Sequence, residues 1–264
     1  MIEQFFYRLG YPVYAAAGLF EKIGAFFIFQ ARFFPLMFAR PFRGRLMIRQ
    51  LENVGANSLL VIIMTAIFTG MVMAIQLYSA FHRFGAEEMM GYAIFVAIGR
   101  ELGPVFTALM LISRSASAAA AELGTMRVTE QIDAIESLSV DSKAYLLTPR
   151  IWAWIIATPL LVVIFDLSAN VSAYLLASHA LGVNPTAYMR TLVTFATLGD
   201  FMQGFVKGIF FGWISASIAV YSGYNAKGGA KGVGEATTIA VVSASVALFL
   251  TNYFLSSIFL LLDW

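Results

Sequence analysis

SLLVIIMTAIFTGMVMAIQLYSAF, Ser58–Phe81, runs for 24 residues without a charge. As a helix rising ~1.5 Å per residue it is ~36 Å long, more than the ~30 Å hydrocarbon core of a bilayer. In hydrocarbon each backbone polar group must find its partner inside the protein, so an isolated apolar run of this length reads as a spanning helix. Four further stretches of the same character follow: Met89–Ala121, Ala144–Ala177 with Pro159 as a kink, Thr194–Tyr221 and Thr237–Leu262. The expected fold is an all-α integral membrane protein with five transmembrane helices. Composition agrees. Of 264 residues 60% are hydrophobic and 12% charged, and mean hydropathy is +0.79, whereas about a quarter of a soluble domain is charged.

The segment before these spans has a different character. Residues 1–50 mix aromatics with Arg32, Arg40, Arg43, Arg45 and Arg49, and Pro35 and Pro41 interrupt them. No run there is long enough to span. It reads as an interfacial or re-entrant helical element with its arginines among headgroups, or as a plain amphipathic leader. Met1–Gly10 has no small-residue cleavage site and reads as mature sequence. The expected organisation is one domain, 1–264, with 1–50 as the N-terminal element and 51–264 as the five-helix region.

Lysine and arginine set the orientation. Segments 1–57, 122–143 and 222–236 hold eleven lysines and arginines, with Arg150 close by, whereas the alternate segments hold only Arg83 and Arg190. The basic segments are therefore expected in the cytoplasm, with the N-terminus inside and the C-terminus outside. The loop around His179–Thr191 becomes a short external excursion. Five helices close a pathway poorly alone, so a homodimer is expected. No cysteine is present, and His82 and His179 lie too far apart to suggest a metal site. No nucleophile–base pair suggests an enzyme, and nothing suggests nucleic-acid binding.

Several polar positions stand out against this background. Glu122–Ser142 (ELGTMRVTEQIDAIESLSVDS) is the most hydrophilic stretch. Thr129 suits an N-cap for a short helix, with Ile132, Ile135 and Leu138 as an apolar stripe and Glu130, Asp133 and Glu136 on other faces. Such a helix docks on a soluble partner or is an ordinary solvated loop helix. Gly228–Gly234 (GGAKGVG) lacks the GK[ST] ending of a phosphate-binding loop and reads as a hinge.

Within the spans, Arg100, Glu101, Asp166 and Lys207 each cost at least ~2.5 kcal/mol to insert. Glu101 and Lys207 lie at similar depth and can neutralise each other. Arg100 points elsewhere on the helix, with Asp166 as a possible partner. The charges either hold the bundle together or line a polar vestibule touching a headgroup. Gly103-Pro104 beside them should loosen the helix and free a backbone carbonyl. The small stretch Ser113–Ala121 suits close helix packing, and Arg114 should sit near cytoplasmic headgroups. Met73, Leu77 and Phe81 form a four-residue-spaced stripe, either ordinary packing or an acyl-chain surface.

RELGPVFTALMLISRSASAAAAELGTMRVTEQIDAIESLSVD, Arg100–Asp141, strongly resembles the MlaE/YrbE family of ABC permeases, as does GGAKGVGEATTIAVV, Gly228–Val242. The resemblance covers about residues 45–264. It departs at Ile239, where many relatives carry a basic residue. It implies a homodimeric phospholipid permease of the bacterial inner membrane that binds no cofactor itself, with ATP and magnesium held by a separate ATPase subunit. It also implies an MCE-domain lipid-binding protein and often a STAS-domain regulator as partners. The segment holding Glu130, Gln131, Asp133 and Glu136 resembles the coupling helix that meets the ATPase. Arg100, Glu101 and Lys207 become substrate-pathway positions, and Met73, Leu77 and Phe81 lie where the family places its lipid cavity. Two other functions stay open: an ion-gradient-driven secondary transporter of a hydrophobic substrate, and a membrane scaffold for an MCE protein.

Overall fold

The computed structural model describes residues 20–21, 23–38 and 43–262. The readings of Met1–Gly10 and of the arginine at position 40 lie outside these residues. Every regular element described is helical. A short apolar helix, α1 (Ile23–Phe38), precedes five helices long and apolar enough to cross a bilayer: α2 (Gly44–Phe84), α3 (Glu87–Val128), α5 (Ser142–His179), α7 (Leu198–Tyr224) and α8 (Gly229–Leu261). Two shorter helices lie between them, α4 (Gln131–Ser137) and α6 (Pro185–Phe195). The all-α, five-span expectation holds.

α1 is too short to span, and its aromatic residues pack on the end of α7. Phe26 and Phe29 meet the Tyr221 ring edge-on at 5.4 and 5.1 Å, and Gln30 Nε2 donates to Ser217 Oγ at 2.9 Å. α2 opens with an amphipathic stretch, Gly44–Val54, bends at Gly55 and continues as the apolar helix Leu59–Phe81. The bend is pinned by Arg114 of α3, whose Nη1 donates to Asn53 O at 3.2 Å and Ser58 Oγ at 2.8 Å.

α7 is the most buried span and α8 the least, 61% against 22% of their most apolar windows. The reason is legible in α7, where Gly204, Gly208 and Gly212 recur every four residues. This small stripe lets backbones approach where no hydrophobic drive exists between helices in lipid. A side chain at position 204 would strike the carbonyl oxygen of Gly99 on α3. The small stretch of α3 does the same work at the other end, where Ala120 packs against Gly223.

Two expectations about local structure change. The fourth span begins at Leu198 rather than Thr194, because Pro185–Phe195 forms a separate helix capped by Asn184, whose side chain accepts from the Thr186 and Ala187 amides. Thr129 does not cap α4. α3 continues to Val128, the Thr129 hydroxyl donates back to Thr125 O at 2.8 Å, and Glu130 turns the chain with a φ of 60°. A hydroxyl that satisfies its own preceding turn is lost to the next one.

Candidate functional site

α3 does not cross as one regular helix. It contains two π turns, Ile98–Leu102 and Ile112–Ala116, and each carries an arginine, Arg100 and Arg114. Pro104 follows the first. Proline has no N–H, so the carbonyl four residues back, that of Arg100, loses its helical donor. Lys207 Nζ supplies the missing bond at 2.7 Å. The same ammonium donates to Glu101 Oε1 and to Ser256 Oγ, both at 2.8 Å. Its three protons thus have three acceptors, and the side chain is fully buried.

Glu101 is held from α8 as well. Ser256 Oγ donates to Oε1 at 2.8 Å and Asn252 Nδ2 to Oε2 at 2.9 Å. The expected Glu101–Lys207 pair therefore forms, within a network that joins α3, α7 and α8. Arg100 finds a different partner from the one expected. Its Nε donates to Asp200 Oδ1 at 2.6 Å and Nη2 forms an ion pair with the same oxygen. Asp166 instead packs against Gly103, buried, with Oδ1 lacking a hydrogen-bond partner. The physical reason is rotation. The π turn adds a residue to one turn and swings Arg100 toward α7, away from the α5 face that carries Asp166.

Asp200 is the residue that sequence reading missed. It is fully buried, and its Oδ2 accepts from the Thr197 amide and hydroxyl, both at 2.8 Å, while its own amide donates to Thr197 Oγ1. Thr197-Leu198-Gly199-Asp200 is a capping box at the start of α7, and T-x-x-D before an apolar run is a readable signal. Asn252 and Ser256, one turn apart on α8, carried a weaker one: polar side chains inside an apolar span.

Two cations and two carboxylates therefore sum to zero charge in this cluster. Arg100 and Glu101 of this cluster open on a cleft of about 500 Å³, with Asp200 and Lys207 buried behind them. Arg100, Glu101, Gln203 and Ser256 line it together with the apolar Val96, Ala97, Phe259 and Leu260. Arg100 and Glu101 keep 34% and 45% of their side chains exposed in the single chain, so both face the cleft although each is paired. Met73, Leu77 and Phe81 line no part of it. Leu77 and Phe81 are half-buried against the core, and Met73 is half-buried on α2.

At the opposite end of the bundle, α4 lies across the ends of α3 and α5. Ile132 is fully buried and Ile135 packs behind it, whereas Leu138 is 76% exposed, so the expected apolar stripe covers two positions rather than three. Glu130 and Gln131 are exposed. Asp133 accepts from Arg127 Nη1 at 2.7 Å. Glu136 Oε1 accepts from Ser142 Oγ at 2.5 Å and from the Tyr224 hydroxyl at 3.0 Å. These two hydroxyls hold the Glu136 carboxyl below the usual carboxylate value.

The family model of permease MlaE matches residues 47–258. The chain belongs to the MlaE permease family. This MlaE-family chain is 41% identical to a probable ABC transporter permease of Rickettsia felis over 90% of its own length and 92% of the relative's. It is 33% identical to the intermembrane phospholipid transport system permease protein MlaE of Haemophilus influenzae, over 81% and 82%. It is 38% identical to the chloroplastic protein TRIGALACTOSYLDIACYLGLYCEROL 1 of Arabidopsis thaliana, over 80% and 61%. The match includes every residue of the Arg100–Asp200 and Glu101–Lys207 pairs. The MlaE-family chain is thus a multi-pass membrane permease.

Proposed function

We propose that the chain is the transmembrane permease subunit of an ABC transporter that moves phospholipid between the bacterial inner membrane and an MCE-type lipid carrier on the periplasmic side. The observation that carries this reading is the amphipathic cleft. Arg100 and Glu101 offer both signs of charge to a headgroup, and Val96, Ala97, Phe259 and Leu260, which line the same cleft, offer apolar surface to an acyl chain. The names of the bacterial relatives support the transporter class and the lipid.

In this reading two copies assemble, each joined to an ATPase subunit that holds ATP and magnesium, with a STAS-domain regulator as a further partner. The whole chain acts as one permease domain. The N-terminus and α4 face the cytoplasm, as the basic segments favour. α4 offers Glu130, Gln131 and the carboxylates of Asp133 and Glu136 to the ATPase. Arg100 and Glu101 line the substrate pathway, with Lys207 holding Glu101 from behind, and Met73, Leu77 and Phe81 give acyl-chain surface once the second copy faces them.

Reconstitution tests this. Proteoliposomes holding the chain with its ATPase subunit should transfer a fluorescent phospholipid only when ATP is supplied. Transfer by the chain alone, driven by a proton gradient, would overturn the reading in favour of a secondary transporter.

A further inference from the structure

Tyr224, the last residue of α7, is 4% exposed and touches four other helices or their ends. Its hydroxyl donates to Glu136 Oε1 on α4 at 3.0 Å and lies 2.8 Å from Ser142 Oγ, the first residue of α5. Its carbonyl accepts from Arg127 Nε on α3 at 3.2 Å. Its ring lies beside two cations, with the Arg127 guanidinium 4.9 Å and the Lys143 ammonium 5.8 Å from the centroid. The Phe29 ring of α1 is 6.4 Å away. Arg127 also holds Asp133, so both acidic residues that fix α4 are tied back to Tyr224.

The three spans that meet α4 here differ in regularity. α3 is interrupted by two π turns and Pro104. α5 contains Pro149 and Pro159. α7 is regular from Leu198 to Tyr224 and contains no proline. Kinks sit at prolines and π turns, and helices bend there first. An uninterrupted helix carries a displacement along its axis, and Lys207 lies 17 residues, ~25 Å, up this one from Tyr224.

From this we infer that Tyr224 is the positioning residue through which movement of α4 reaches Lys207, with α7 as the push rod. The inference rests on the proposed docking of an ATPase against α4. Its chemistry is simple. The Tyr224–Glu136 hydrogen bond makes α4 and α7 move as one body, while α3 and α5 flex at their interruptions. Pulling or pushing α7 shifts the ammonium that holds the Arg100 carbonyl and the Glu101 carboxylate, and so reshapes the cleft.

The test is the number of phospholipids transferred per ATP hydrolysed in proteoliposomes containing the chain and its ATPase subunit. Tyr224→Phe removes the hydroxyl and keeps the ring beside its two cations. The complex should assemble and hydrolyse ATP, while the transfer ratio falls about fivefold or more. Glu136→Ala breaks the same bond from its exposed side and should lower the ratio similarly. The double variant should be no worse than either alone. A transporting wild type with Tyr224→Phe equally well coupled overturns the relay and leaves the proposed function standing. So does a loss of hydrolysis and transfer in equal measure, which marks a role in assembly only. If Tyr224→Phe does not fold, an unchanged ratio in Glu136→Ala overturns the relay by itself. A wild type with no ATP-dependent transfer overturns both.

Discussion

At the scale of the residue, the decisive event is the proton that Pro104 lacks. The Arg100 carbonyl is freed in the middle of a span, and a lysine that would otherwise be expensive to bury fills the vacancy while neutralising Glu101. Lys207→Met keeps the volume and removes all three donors. Breaking a buried pair costs ~3–5 kcal/mol; because Glu101 is 45% exposed, we expect about 2–3 kcal/mol, read as lower thermal stability in detergent together with loss of lipid transfer. Exchanging the two charges by Glu101→Lys with Lys207→Glu should restore little, since a carboxylate at 207 would face the Arg100 carbonyl. Full recovery in that double variant would show that the pair alone matters.

Glu136 gives a residue-scale prediction in pH. Its folded value lies below the ordinary 4.5 because the Ser142 hydroxyl, and then that of Tyr224, favour the ionised form. A lowered carboxylate stabilises the fold above its ordinary value and loses that contribution as pH falls through the folded value. α4 should stay docked from neutral pH down to about 4.5 and loosen below it. A spin label at the exposed Ser137 reads this as rising mobility, and Glu136→Gln should abolish the acid step. Constant mobility through the acid range would mean that the two hydroxyls do not anchor α4.

At the scale of the element, long apolar runs and their basic flanks made the spans legible, because a bilayer imposes one length and one backbone solution. The Glu101–Lys207 meeting was legible for a related reason: two lone charges at matching depth have few alternatives. The partner of Arg100 was not. Choosing between Asp166 and Asp200 requires the rotation of α3, and the π turn that sets it leaves no mark in hydrophobic period. The capping box at Thr197–Asp200 was a mark that reading by charge alone passed over. Thr129 shows the opposite case, a good N-cap residue claimed by the helix before it.

The α3–α7 crossing follows from the same logic. Gly204→Ala places a methyl group against the Gly99 carbonyl, which belongs to backbone and cannot step aside. Overpacking of this kind costs about 1–3 kcal/mol. It should also part Lys207 from Arg100, so transfer should fall more steeply than stability. A variant as active as wild type would show that α3 and α7 tolerate separation at the cleft.

At the scale of the whole molecule, polar machinery lies at two levels of one bundle. The Arg100–Asp200 and Glu101–Lys207 pairs sit inside it, beside the cleft. The Arg127–Asp133 and Tyr224–Glu136 contacts sit at the α4 end, joined to the first level by α7. The account needs α4 on the cytoplasmic side, where an ATPase can reach it. Because the chain has no cysteine, single substitutions can be labelled without background. Ser137→Cys on α4 and Arg83→Cys in the last turn of α2 should be compared in intact cells with a membrane-impermeant maleimide. The account predicts labelling at position 83 at once, and at position 137 only after the membrane is opened. Labelling at 137 in intact cells, with 83 protected, would place α4 outside and contradict it.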